Sequence, residues 1–156
     1  CRSCSGEINR LSKFYHHGDT NDLNEVILEA LSDKYSKAVL FGYSMGGSLS
    51  IKYLGEGRTL DPRIKGAVTY SVPLNLKDSG DQFLPSLSVP IFVGNALNDP
   101  LLGTKCYPKE EAKQNKLFYL QTPLKGGHVG FSYQSKDYSW METRGAYFMK
   151  EVLLIS

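Results

Sequence analysis

The chain has 156 residues, 18 basic and 16 acidic side chains, a net charge of +2, 41% hydrophobic and 22% charged residues. That is one domain's worth of globular composition, too apolar for a disordered tail and too evenly charged to suggest a nucleic-acid or membrane-surface binder. No apolar run approaches the ~20 residues of a membrane helix, and the start has no signal-peptide pattern.

The first fifteen or so residues are polar, and Ser3, Ser5, Gly6 and Asn9 suggest a loop. A helix is predicted next. Asp19 or Thr20 can cap it, and Asp22 and Glu25 fall where the helix dipole favours acids. Leu23, Val26, Ile27, Ala30 and Leu31 recur at helical spacing and predict one buried face, with Lys34 and Lys37 near the end. Ala38 to Phe41 is a short apolar run that suits a strand buried on both faces. Gly42-Tyr43-Ser44-Met45-Gly46-Gly47 follows it directly. Leu49, Ile51, Tyr53 and Leu54 then predict a helix that stops near Gly55 and Gly57. Ile64 to Val72 predicts a second buried strand, Pro73 to Ser88 a polar connection, and Val89 to Gly94 a third strand. Glu110 to Lys113 falls in a short helix, Leu117 to Leu120 in a fourth strand, and Met141 to Leu154 in a closing helix. Apolar strands alternating with helices predict a parallel α/β sheet.

Gly42 to Gly46 reads GxSxG. The bare pattern is weak, but here it leaves a buried strand and opens a helix. That is the context of a nucleophile elbow, in which a sharp turn lifts the serine hydroxyl clear of the sheet. The flanking glycines are expected where side chains would collide with the neighbouring strand and helix. The helix start sets a free N–H, that of Met45, beside the reacting carbon.

A serine hydroxyl needs a base. Of His16, His17 and His128, only His128 follows a strand, in Gly126-Gly127-His128-Val129-Gly130. That location is the functional edge of an open α/β sheet. His16 and His17 precede the first helix and read as structural or solvated. The base needs an orienting carboxylate, and Asp99 lies just past the third strand. Asp61 precedes a strand, on the opposite edge, and Asp78 lies deep in the polar connection. The order Ser44, Asp99, His128 is the α/β-hydrolase order. No GxGxxG follows a strand, and Gly42 to Gly47 lacks the ending of a phosphate loop.

Together these stretches resemble the α/β-hydrolases of the YheT/EMB8 type, related to the animal ABHD group. The resemblance is carried by Cys4-Ser5-Gly6-Glu7 with Asn9, Tyr15 to Thr20, Phe41 to Gly47, Lys52 to Glu56, Val72 to Leu76, Asn98-Asp99-Pro100 and Gly126 to Phe131. It implies an α/β-hydrolase fold with a mostly parallel sheet and flanking helices. It further implies a serine hydrolase of carboxylic esters, esterase- or acylglycerol lipase-like, with Ser44, Asp99 and His128 as its triad and no cofactor or metal. Members are about twice this length, and Cys1 to Gly6 resembles a motif that follows their fourth strand. Residues 1–156 are therefore expected as a single partial domain, truncated on its N-terminal side. The second oxyanion donor and the long helical lid that the family carries between Val72 and Val89 are not matched. The strand Ala38 to Phe41 is expected as an exposed apolar edge open to self-association.

The alternatives are an impaired fragment or pseudo-enzyme of the same fold, and a thioesterase or acyltransferase using the same triad. Phe83, Tyr107 and Phe131 are candidates for a pocket wall or for core. The three cysteines, Cys1, Cys4 and Cys106, form no disulfide framework and suit a reducing, cytoplasmic compartment. The expected partner is a small acyl ester, with no nucleic acid and no membrane span.

Overall fold

A computed structural model of the chain describes residues 6–8, 10, 16, 18–33, 35–74, 84–132 and 137–154. The elements are α1 (Thr20–Asp33), β1 (Ala38–Tyr43), α2 (Met45–Gly55), β2 (Ile64–Tyr70), β3 (Ile91–Gly94), α3 (Lys109–Gln114), β4 (Phe118–Gln121) and α4 (Trp140–Glu151). The four strands form one sheet in the order β1-β2-β3-β4, and every neighbouring pair is parallel.

Side-chain alternation splits the core in two. Ala67, Ile91 and Val93 face Ile27 and Leu31 of α1 and Ile51 and Leu54 of α2. Val68, Tyr70 and Phe92 face Phe148 of α4, with Phe131 and Leu153 beside it. The sheet is therefore sandwiched, as helix-covered parallel strands require. This is the α/β architecture that the alternating apolar runs predict.

The burial predicted for single elements holds unevenly. β3 is buried throughout and β2 nearly so. β1 is not buried on both faces. It is an edge strand, with Phe41 47% and Tyr43 45% exposed. Both residues lie on the α4 side, where α4 packs on β2 and β3, Val39 joins the buried cluster, and Phe41 and Tyr43 lean on Tyr70. Along α1, Ile27 and Leu31 are buried, but Val26 is exposed and so is Ala30. The buried stripe is narrower than the apolar pattern. No helix among the described residues is long and apolar enough to cross a membrane.

α4 begins with a reciprocal cap. Ser139 Oγ accepts from Glu142 N at 3.2 Å, and Ser139 N donates to Glu142 Oε2 at 2.7 Å. Hydrogen bonding to the Ser139 side chain and backbone holds the Glu142 carboxyl below its ordinary range. Such a box satisfies two amides that the first helical turn leaves without intrahelical partners. Ser139→Ala is expected to lower stability by about 1 kcal/mol, read as a shift of the denaturant midpoint at unchanged slope.

Candidate active site

The strand ends set the geometry. Tyr43, Tyr70, Gly94 and Gln121 are register partners across the sheet. The next residues, Ser44, Ser71 and Asn95, therefore leave the sheet along a single edge.

Ser44 joins β1 to α2 at φ 49° and ψ −118°. A positive φ is strained for a serine. Its N–H donates to Tyr70 O at 2.9 Å and its carbonyl accepts from Ser48 N at 3.1 Å. Sheet and helix thus hold the residue between them. The tightness of this turn falls on two glycines. A Cβ on Gly42 would lie 2.6 Å from the Gly46 backbone, and one on Gly47 would lie 2.6 Å from Val72 Cγ2. The expectation of a collision at Gly46 is not met, since a Cβ there has nothing within 4 Å.

His128 lies in the loop after β4 and bridges the other two predicted residues. Its Nε2 is 3.0 Å from Ser44 Oγ, and its Nδ1 is 2.8 Å from Asp99 Oδ2. An ionised carboxylate only accepts, so Nδ1 carries the hydrogen and Nε2 offers its lone pair to the serine hydroxyl. The Asp99 side chain is wholly buried, and that of His128 is 21% exposed. The second Asp99 oxygen, Oδ1, accepts from Leu101 N at 2.9 Å. Both carboxylate oxygens are therefore engaged, which is how a buried charge is tolerated. Met45, the first residue of α2, contributes an N–H with no acceptor within its own helix.

The rival residues are placed elsewhere. Asp61 precedes β2 and takes Arg63 through both oxygens, at 3.0 and 2.7 Å, which pulls its carboxyl down to about 2. His16 is exposed, and its Nδ1 accepts from Gly18 N at 3.0 Å. His17, Asp78, Phe83, Cys1 and Cys4 lie outside the described residues. Cys106 is a half-buried free thiol. Burial above all, with a smaller push from the charge of Asp99, raises its pKa against a lowering hydrogen bond at Gly103. Tyr107 OH donates to Ala96 O at 2.7 Å, bracing the loop that carries Asp99. Phe131 is core, stacked on Trp140 at 5.3 Å between centroids. A cavity of about 520 Å³ lies between the Leu84–Leu87 turn and α3, and none of the three residues lines it. Among the described residues, no three His, Cys, Asp or Glu side chains are grouped to hold a metal ion.

Three polar residues beside the site were not singled out from the sequence. Asn95 is fully buried; its Oδ1 accepts from Val72 N, and its Nδ2 donates to Val72 O and Cys106 O. Ser71 Oγ accepts from Val129 N, and Asn98 Oδ1 from Gly127 N. A polar residue directly after a buried strand was the available signal for Ser71 and Asn95.

No protein-family profile matches the chain, and no curated protein matches it. Solved structures do. The chain is similar to the Pyrococcus furiosus esterase Pf2001 in two crystal forms. In one, identity is 19%, 89% of this chain and 65% of that chain are covered, and the TM-score is 0.62. In the other, identity is 18%, coverage is 88% and 64%, and the TM-score is 0.61. It is also similar to wild-type AbyA5, at 16% identity, 79% and 44% coverage and a TM-score of 0.57. The chain thus spans less than two thirds of each of these proteins. Together with the parallel sheet, these likenesses define an α/β-hydrolase-like fold.

Because the close approach is at Gly42 and not at Gly46, the two glycines are expected to respond oppositely to alanine. Gly42→Ala is expected to destabilise the fold by roughly 2 kcal/mol or more, as overpacking does. Gly46→Ala, inside α2, is expected to be neutral or stabilising by up to about 1 kcal/mol. Urea unfolding of the two variants checks this.

Proposed function

We propose that the chain is a serine hydrolase of carboxylic esters. The hydrogen-bonded series Ser44 Oγ, His128 Nε2, His128 Nδ1 and Asp99 Oδ2, at 3.0 and 2.8 Å, is the observation that supports it. In this reading His128 takes the Ser44 proton as Oγ attacks the acyl carbon. Asp99 holds the imidazole in the productive tautomer and stabilises its charged form. The Met45 N–H donates to the oxyanion, and one such donor is worth about 10²–10³ in rate. The alcohol leaves with the proton from His128. Water, activated by the same base, then releases the acid from the acyl-enzyme. The Pf2001 neighbour is named an esterase, in line with this chemistry, and the motifs around Ser44, Asp99 and His128 favour the YheT/EMB8 type within the fold. The cysteine usage favours a reducing cytoplasm.

Labelling by a fluorophosphonate is the direct test. Wild type is expected to label. Ser44→Ala is expected to abolish labelling, and His128→Ala to slow it by about 10³-fold or more. Turnover of p-nitrophenyl esters then separates an esterase from a thioesterase or acyltransferase with the same triad. A folded wild-type chain that does not label points instead to an impaired or non-catalytic domain.

The edge of β1 supports a second proposal, that this chain self-associates there. Phe41 and Tyr43 are exposed beside a row of strand amides and carbonyls that, among the described residues, has no paired strand on that side. Such edges template pairing. Sedimentation is expected to show a concentration-dependent species larger than one chain, and Phe41→Lys is expected to shift it to monomer. A wild-type monomer at every concentration refutes this proposal.

A further inference from the structure

The loop that carries His128 follows a costly path. Gly127, Val129 and Phe131 have φ of 57°, 60° and 20°. The left-handed region strains a β-branched valine in particular. A loop of this kind holds one conformation only where its surroundings over-determine it.

Two side-chain oxygens supply that determination, one on each side of the histidine. Asn98 Oδ1 accepts from the amide of Gly127 at 2.9 Å. Ser71 Oγ accepts from the amide of Val129 at 3.1 Å. The anchors arrive from different strands. Ser71 follows β2, is fully buried, and is tied to β3 by its own N–H, which donates to Gly94 O at 3.0 Å. Asn98 is exposed on the loop after β3 and precedes Asp99. The segment that sets the carboxylate therefore also sets the backbone of the base.

We infer that Ser71 and Asn98 are positioning residues that clamp the two amides flanking His128, so that its ring meets Asp99 and Ser44 at once. The imidazole must satisfy a 2.8 Å contact at one nitrogen and a 3.0 Å contact at the other. A ring held at both nitrogens tolerates little movement of the loop that carries it. The consequence for rate rests on the hydrolase reading above, whereas the consequence for the imidazole does not.

The test uses Ser71→Gly, Asn98→Ala and Asn98→Asp. Glycine removes the hydroxyl while accepting the φ of 53° at that position, so loss of the clamp is separated from loss of the fold. Aspartate keeps an acceptor oxygen where Asn98 has one. Three quantities are read: the 15N tautomer of the His128 imidazole, assigned with His128→Gln, the rate of fluorophosphonate labelling, and kcat and KM on a p-nitrophenyl ester. Ser71→Gly and Asn98→Ala are each expected to convert the single Nδ1–H tautomer of His128 into a mixture. Each is expected to lower labelling rate and kcat about tenfold, with KM changed by less than about twofold. Asn98→Asp is expected to recover most of both. An unchanged tautomer in folded Ser71→Gly and Asn98→Ala overturns the inference. If wild type does not label, the hydrolase reading fails alone, and the tautomer comparison still decides the clamp.

Discussion

A parallel ladder delivers every outgoing chain to the same edge. Here the constraint is strict, because Tyr43, Tyr70, Gly94 and Gln121 are matched across all four strands. The N–H groups of Ser44, Ser71 and Asn95 still reach the carbonyls of that row, but Val72 lies past it and is buried. A side chain supplies its partners there. Asn95 does this in full: one amide replaces two missing ladder bonds to Val72 and adds one to Cys106. At the opposite edge Asp61 pairs with Arg63, and Asn115 bonds the backbone of Leu84 and Leu117.

The site residues are supported unequally. Tyr70 lies at the centre of an aromatic cluster, with centroids of Phe41, Tyr43, Phe92, Phe131 and Trp140 between 5.7 and 6.3 Å away. Phe131 carries this core to the His128 loop, since its N–H donates to Gly126 O and its carbonyl accepts from Trp140 N. α4 therefore backs the loop that carries His128. Ser44 leaves β1, whose Phe41 and Tyr43 pack on Tyr70 but stay nearly half exposed. Ser44 is held by the ladder to β2, by the first turn of α2 and by the tight packing of Gly42 against Gly46 and Gly47.

Local features were legible because they depend on neighbours in the chain. The apolar runs, the strand–turn–helix around Ser44 and the order of Ser44, Asp99 and His128 all belong to short segments. Helix and strand limits differ by a few residues, as at the last strand, expected over Leu117 to Leu120 and found as Phe118–Gln121. The Ser139 cap went unread because its reciprocal bonds precede the apolar face that marks α4.

The sequence by itself determined the α/β class, the sharp turn at Ser44 and which histidine and carboxylate follow strands. Each follows from residue type, periodicity and spacing along the chain. Tertiary structure decided that Phe41 and Tyr43 are exposed, where the apolar run alone predicted burial on both faces and only the resemblance implied an edge. It also decided that the Gly46 position is open while the Gly42 position is not, because a collision needs the neighbouring backbone in place. It alone joined Ser71 to Val129 and Asn98 to Gly127, across 58 and 29 positions. Hydrogen bonds over such separations leave no periodic trace, because the fold and not the chain makes their partners adjacent.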